Sequence, residues 1–196
     1  MTATDPIRPR ARNAAATRSA ILAAASRQFA RESYENVGLR EISREVGVDP
    51  ALIARYFGSK EELFREVLDG VRDKTMLEGV AAADLPARLA SLIVDMPEDR
   101  EEEEAKFDRL LIILRSASSP NAGAIVNDVI NADFLGPIVA LLDGEDARLR
   151  ASLTLSVLIG SVIVRNMMSV MPSCDGDHTL LRARLTGLFE EALGLS

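Results

Sequence analysis

Residues 39–63 read LREISREVGVDPALIARYFGSKEEL, two short apolar helices written on either side of one glycine. Leu39, Ile42 and Val46 fall at i, i+3 and i+7, which gives one apolar face to a short helix. Gly47 follows and supplies the left-handed conformation that closes a helix cheaply, with Val48 packing into the corner. Asp49 is a good N-cap, and Pro50 falls at the first helical position, where its missing N–H is no loss. A second helix is therefore predicted to start at once and run to about Phe57, burying Ile53 and Phe57. Pro50, Ala51, Leu52, Arg55 and Tyr56 point elsewhere. Gly58 stops it, and Ser59-Lys60-Glu61-Glu62 reads as a capping box for a further helix with Leu63, Phe64, Val67, Leu68 and Val71 on its core stripe. This arrangement is a helix-turn-helix, a motif that reads DNA.

Helices this short are marginal alone, so a third must hold them. Residues 14–31 supply it, with Ile21, Leu22, Ala25 and Phe29 on one stripe and Phe29 as the plug between the other two. The wording keeps fixed spacing in three places: Thr17-Arg18-x-x-Ile21-Leu22-x-Ala24-Ala25-x3-Phe29, Ile42-x4-Gly47-Val48-Asp49, and Tyr56-Phe57-x-Ser59-Lys60-x-x-Leu63. In these, roughly residues 14–70 closely resemble the N-terminal domain of the TetR family of transcriptional regulators. The resemblance implies an N-terminal three-helix DNA-binding domain with a helix-turn-helix, then a C-terminal helical ligand-binding and dimerisation domain. Beyond residue 70 the likeness is only architectural. It places Thr17 and Arg18 among the DNA-binding residues. Two positions depart from the family pattern: Gly38 stands where a threonine often caps the second helix, and Ala54 where a tyrosine often meets phosphate. Tyr56 and its neighbour Arg55 are expected to take over those contacts. Arg40 and Lys60, at helix starts, are expected on phosphates, Arg55 on a guanine edge, and Pro50, Ala51 and Leu52 on thymine methyls.

Overall charge first argues against nucleic acid, with 23 Lys and Arg against 30 Asp and Glu and a net of −7. Its distribution reverses that. Residues 1–60 hold 10 basic and 6 acidic residues, and no acid occurs from Pro6 to Arg31. A positive head on a negative body turns the protein toward phosphate. Residues 1–13 read as a flexible basic arm, either a plain solubilising tail or one that follows the DNA backbone or minor groove. Residues 14–60 form the DNA-binding domain, 61–75 a connecting helix, and 76–196 the effector-binding and dimerisation domain.

The remaining chain reads as further helices. Ala, Leu, Glu and Arg abound and no run alternates with period two, so the expected fold is all-α. Pro86 opens a helix carrying Leu85, Leu89, Leu92 and Ile93, and the charge run from Glu98 to Glu104 reads as a solvated loop and helix start. The apolar run Leu110 to Leu114 suggests a surrounded, central helix, and Gly136-Pro137 kinks or ends the helix carrying Phe134. Candidate walls for a small apolar effector are Leu89, Ile93, Phe107, Leu111, Leu114, Phe134, Met167 and Met168, each equally at home in plain core; adjacent methionines adapt to varied guests. A long helix from 146 to 170 and a last one over 177–193 carry more apolar surface than one chain needs, and small Ser156 and Gly160 permit close helix approach. In the resembled family these two helices form a four-helix dimer interface. That assigns Leu153, Ser156, Gly160, Ile163, Leu181, Leu185 and Leu188 to a homodimer, which also suits a palindromic operator in double-stranded DNA.

Catalysis finds little support. His178 is the only histidine, Cys174 the only cysteine, and no glycine-rich phosphate loop is present, so no enzyme, metal or cofactor is expected. The lone cysteine excludes an intrachain disulfide and fits the cytoplasm. No secretory leader is read, and Leu153 to Val164, interrupted by Thr154, Ser156, Gly160 and Ser161, is too short for a membrane span. Three readings remain: a ligand-responsive repressor, a DNA-binding regulator without an effector, or a small-molecule-binding bundle with a vestigial DNA-binding head. Arg40, Arg55, Tyr56 and Lys60 speak against the third.

Overall fold

A computed structural model describes residues 9–70, 76–95, 100–166, 168 and 178–195, and among these every regular element is helical. The α-helices are α1 (Pro9–Arg31), α2 (Leu39–Val46), α3 (Pro50–Phe57), α4 (Lys60–Gly70), α5 (Leu85–Val94), α6 (Arg100–Ser116), α7 (Gly123–Ile130), α8 (Gly136–Val139), α9 (Ala147–Asn166) and α10 (Thr179–Leu193). They divide into two compact units, Met1–Arg72 with Glu104–Asn127, and Asp73–Glu103 with Asp128–Ser196. Glu104–Asn127, expected in the domain over 76–196, contacts the head through bonds from α6 and its following turn to residues 31–35. Residues 1–8 of the expected arm, Val71 and residues 72–75 of the connecting helix, Glu98, Met167 and Cys174 lie outside the described residues. Residues 9–13, expected in the arm, open α1 instead.

In the first unit α1 packs on α2 and α4, α2 on α3, and α3 on α4. Ile21, Ala24, Ala25 and Phe29 of α1, Ile42 of α2, Ile53 and Phe57 of α3, and Leu63, Phe64, Val67 and Leu68 of α4 are all 5% exposed or less. Leu22, expected on the stripe, is half-buried, and Ala24 takes its place. Phe29 meets Phe64 edge-on at 4.9 Å and stacks on Tyr34 at 5.9 Å, so the plug is an aromatic trio closed by a loop residue. The surrounded helix expected at 110–114 is also corrected. Ile112 is fully buried, but Leu110, Leu111, Ile113 and Leu114 are half-buried, since a run of apolar residues circles the helix and the unit covers it unevenly.

In the second unit α10 packs on α5 and α9 around Leu85, Leu89, Ile93, Phe134, Ile138, Leu185, Phe189 and Leu193. Between α7 and α8, Asn131–Leu135 forms a π-turn in which the Gly136 N–H reaches the Asn131 carbonyl. The kink read from Gly136-Pro137 is this turn. Ala147–Arg165 is 19 residues long and, by length and composition alone, apolar enough to cross a membrane, as are helices that never meet one. Its hydroxyls explain how polar residues fit such a helix: Ser152, Thr154 and Ser156 donate back to the carbonyls of Arg148, Arg150 and Ser152 at 2.8–2.9 Å.

Candidate nucleic-acid interface

The corner between α2 and α3 is set by three residues in sequence. Gly47 adopts φ 75° and ψ 34°, the left-handed region that disfavours any side chain, and its N–H and that of Val48 return to Ser43. The Asp49 carboxylate then accepts from the Ala51 N–H at 2.7 Å, with Pro50 inside the first turn. At α4 the Ser59 hydroxyl accepts from the Glu62 N–H at 3.1 Å, the first half of the capping box. Arg27 and Gln28 of α1 grip Glu45 of α2 at 2.7–3.0 Å, and these bonds, Gln28 first, hold the Glu45 carboxyl below its ordinary range.

With α3 fixed this way, Ile53 and Phe57 face the core while Pro50, Ala51, Ala54 and Arg55 are exposed and Leu52 and Tyr56 half-buried. Arg40 of α2 is exposed, and so is Arg44 one turn on, a cation that the sequence reading passed over although its spacing from Arg40 was plain. Two expected DNA-binding residues, Arg18 and Lys60, lie over aromatic rings of the chain itself. The Arg18 guanidinium lies 4.8 Å over the Phe57 ring and pairs with Glu66, and the Lys60 ammonium lies 4.3 Å over the Tyr34 ring. Burial pulls the Lys60 pKa down, against the upward pull of Glu35 and Glu61. Burial, then Glu61, pushes the Tyr34 phenol far up, and the Ser119 hydroxyl, first among its partners, holds Glu35 down. Thr17 is half-buried beside Arg18. Tyr34, Glu35 and Ser119 carried no sequence signal, because Glu35 meets Ser119 from 84 residues away.

The expected dimer residues separate into two groups. On α9, Leu153 is 49% exposed, Ser156 and Gly160 are exposed, and Ile163 is half-buried. On α10, Leu188 is exposed, but Leu185 is buried in its own unit and Leu181 packs against that core, which removes both from the outer face. The reason is the register: Leu181, Leu185, Phe189 and Leu193 step along the inner side, while Leu180, Ala183, Arg184, Gly187 and Leu188 are exposed. Leu149, 62% exposed and in line with Leu153 on the stripe that the sequence offers, and Leu180, 67% exposed, which the sequence reading passed over, belong to the open face.

The candidate ligand wall is not gathered within either unit. Phe107, Leu111 and Leu114 lie half-buried in the first; Leu89, Ile93 and Phe134 are buried in the closed core of the second. Met168, expected on the same wall, is 59% exposed.

Residues 21–67 match the model for bacterial regulatory proteins of the tetR family, and residues 83–193, more than half of the chain, match the tetracyclin repressor-like C-terminal domain. The chain belongs to the TetR family of bacterial regulatory proteins, whose members are DNA-binding transcription regulators with this all-helical, helix-turn-helix fold. It is 39% identical over 80 residues to the HTH-type transcriptional regulator BetI of Rhizobium meliloti (strain 1021), covering 39% of each protein. To the HTH-type transcriptional repressor SCO4008 of Streptomyces coelicolor it is 33% identical over 101 residues, 52% of this chain and 44% of that protein. The chain thus spans less than half the length of the curated relatives it matches. Crystalline NalD, the secondary repressor of the MexAB-OprM multidrug efflux pump in Pseudomonas aeruginosa, aligns with a TM-score of 0.66 at 18% identity over 91% of this chain and 97% of that one, a likeness of fold.

Proposed function

We propose that the chain is a cytoplasmic transcriptional repressor that binds a palindromic operator in double-stranded DNA as a homodimer and leaves it when a small apolar or amphipathic ligand binds. The observation that carries the reading is the setting of α3: its inner side anchors Ile53 and Phe57, and its outer side offers Pro50, Ala51 and Arg55 beside the exposed Arg40. An exposed arginine on a helix with an apolar neighbourhood suits guanine O6 and N7 together with thymine methyls, and a good pair is worth about 1–3 kcal/mol of discrimination. Selection from random duplexes with the parent and with Arg55→Ala tests this. The variant is expected to lose preference at one position in each half-site; recovery of the same site from both proteins would move base reading away from Arg55.

Repression is supported by the repressor among the curated relatives, and release by ligand by the match of residues 83–193 to a tetracyclin repressor-like domain. A ligand can weaken operator binding only by favouring a conformation that fits the half-sites less well, and such coupling is typically about 1–3 kcal/mol. Titrating the operator complex with a panel of amphipathic compounds should reveal one that both raises the melting temperature and weakens the complex about 5–150-fold. A panel that raises the melting temperature without releasing DNA favours a regulator governed by its own concentration.

A further inference from the structure

Helix α3 is eight residues long and buries only Ile53 and Phe57, so little apolar surface of its own holds it in place. Its two ends are fixed differently. At the start, the Asp49 carboxylate accepts from the Ala51 N–H at 2.7 Å. At the end, Gly58 turns the chain away at φ 80°, and Phe57, 5% exposed, is the last side chain that anchors the helix. Over that ring lies Arg18, from near the middle of α1: its guanidinium stands 4.8 Å from the ring centroid and donates to the Glu66 carboxylate on α4. One side chain thereby joins α1, α3 and α4. A planar guanidinium stacks on a ring through its face and donates to a carboxylate along its edge, so the two contacts do not compete.

The consequence reaches the outer side of α3. Arg55 precedes Phe57 by two residues, about 200° round the helix, so it points away from the ring that Arg18 covers and turns whenever that ring turns. Side chains that read a partner must be held to within about 10–20°. We infer that Arg18 is a positioning residue for α3: stacked on Phe57 and paired with Glu66, it fixes the end of the helix between α1 and α4 and sets the aim of Arg55, without meeting a phosphate itself. The inference rests on the reading of Arg55 as the base contact. It makes Glu66 a helper of sequence preference although its charge has the sign of DNA.

A phosphate contact acts on every duplex alike and carries about one unit of salt dependence, whereas a positioning residue acts only where sequence is read. Binding isotherms at several salt concentrations, on the duplex that the parent selects from random DNA and on a generic duplex, test this with Arg18→Met, Arg18→Lys, Glu66→Ala, Arg55→Ala and the double variants. Methionine keeps an apolar stem against Phe57, and the ion pair is partly exposed, so its loss costs the fold too little to unfold the domain. Arg18→Met and Glu66→Ala are each expected to lower the preference for the selected duplex about three- to tenfold, part of the worth of one arginine–guanine pair. Generic affinity and salt slope of Arg18→Met should stay with the parent. Combining Arg18→Met with Glu66→Ala, or adding either to Arg55→Ala, should lower the preference no further. Arg18→Lys, which keeps the charge but not the plane, should fall with Arg18→Met. Equal losses on both duplexes in Arg18→Met, with a slope flatter by about one unit and rescue by lysine, put Arg18 on a phosphate and overturn the inference. Tighter binding of every duplex by Glu66→Ala, with preference unchanged, overturns it as well, since releasing Arg18 then helps DNA. A loss of preference in Arg55→Ala with none in Arg18→Met and Glu66→Ala overturns the inference alone, whereas parental preference in Arg55→Ala overturns the base contact and the aim assigned to Arg18.

Discussion

Gly38 stands ahead of α2 in an extended conformation, φ −105° and ψ 142°, that any residue adopts, and no side chain caps the helix there. The Glu41 carboxylate folds instead into the space where a side chain at 38 would begin. Threonine at this position offers a hydroxyl to the first-turn N–H groups and narrows the conformations open to the unfolded chain. Glu41 gives way at its flexible end. Gly38→Thr is therefore expected to stabilise the chain by about 0.5–1 kcal/mol, read as a higher denaturation midpoint. A midpoint at or below the parent's means that Glu41 already serves the helix start. At this scale the residues that obey local rules were legible: Gly47, Asp49, Pro50 and Ser59 act on neighbours two to five positions away. Arg18 and Lys60 were legible as cations but not in their partners, because Phe57, Glu66 and Tyr34 are brought to them by tertiary packing.

Among elements, the segment from α7 to α8 shows how a glycine can be required without a positive φ. A Cβ on Gly136 would stand 2.8 Å from the Asn131 carbonyl oxygen, a backbone atom that cannot retreat without unwinding the π-turn. Pro137 follows and brings no N–H of its own. Gly136→Ala is expected to cost about 1–3 kcal/mol, as overpacking against a fixed neighbour does, and chemical denaturation followed by circular dichroism would measure it. A variant as stable as the parent would show that the turn relaxes to an ordinary helix without loss. The dipeptide announced an interruption here, but a glycine followed by proline reads equally as a stop. The choice was made by Phe134, Leu135 and Ile138, which are all buried in one core and keep the chain helical through the break. On α10 periodicity selected no face, since leucines stand on every side, and the register was settled by Phe189 and Leu193 entering the core of the second unit.

Across the whole molecule the sign of charge and the location of bare apolar surface divide the labour. The head carries the positive excess of a chain whose net charge is −7, while Leu149, Leu153, Leu180 and Leu188 lie exposed on α9 and α10 in the second unit. Scattered leucines need no explanation, but four on two neighbouring helices, with Gly160 and Gly187 among them, form a surface that excludes water only when something covers it. A second copy fits this reading, since two-fold pairing presents two heads to two half-sites and multiplies weak single-site affinity. Gly160 isolates the interface from the fold: a Cβ there meets nothing within 4 Å in the chain, so leucine adds bulk only on the outer face. Gly160→Leu is expected to keep its helix content and melting cooperativity, to scatter light as one chain, and to lose about 10²–10⁴-fold in operator affinity as the second head is uncoupled. Gly187→Leu, open in the same way on α10, should reproduce the result. Should both variants remain dimers of parental affinity, the pairing must use a surface other than α9 and α10; should one alone do so, the face is used with its weight on the other helix.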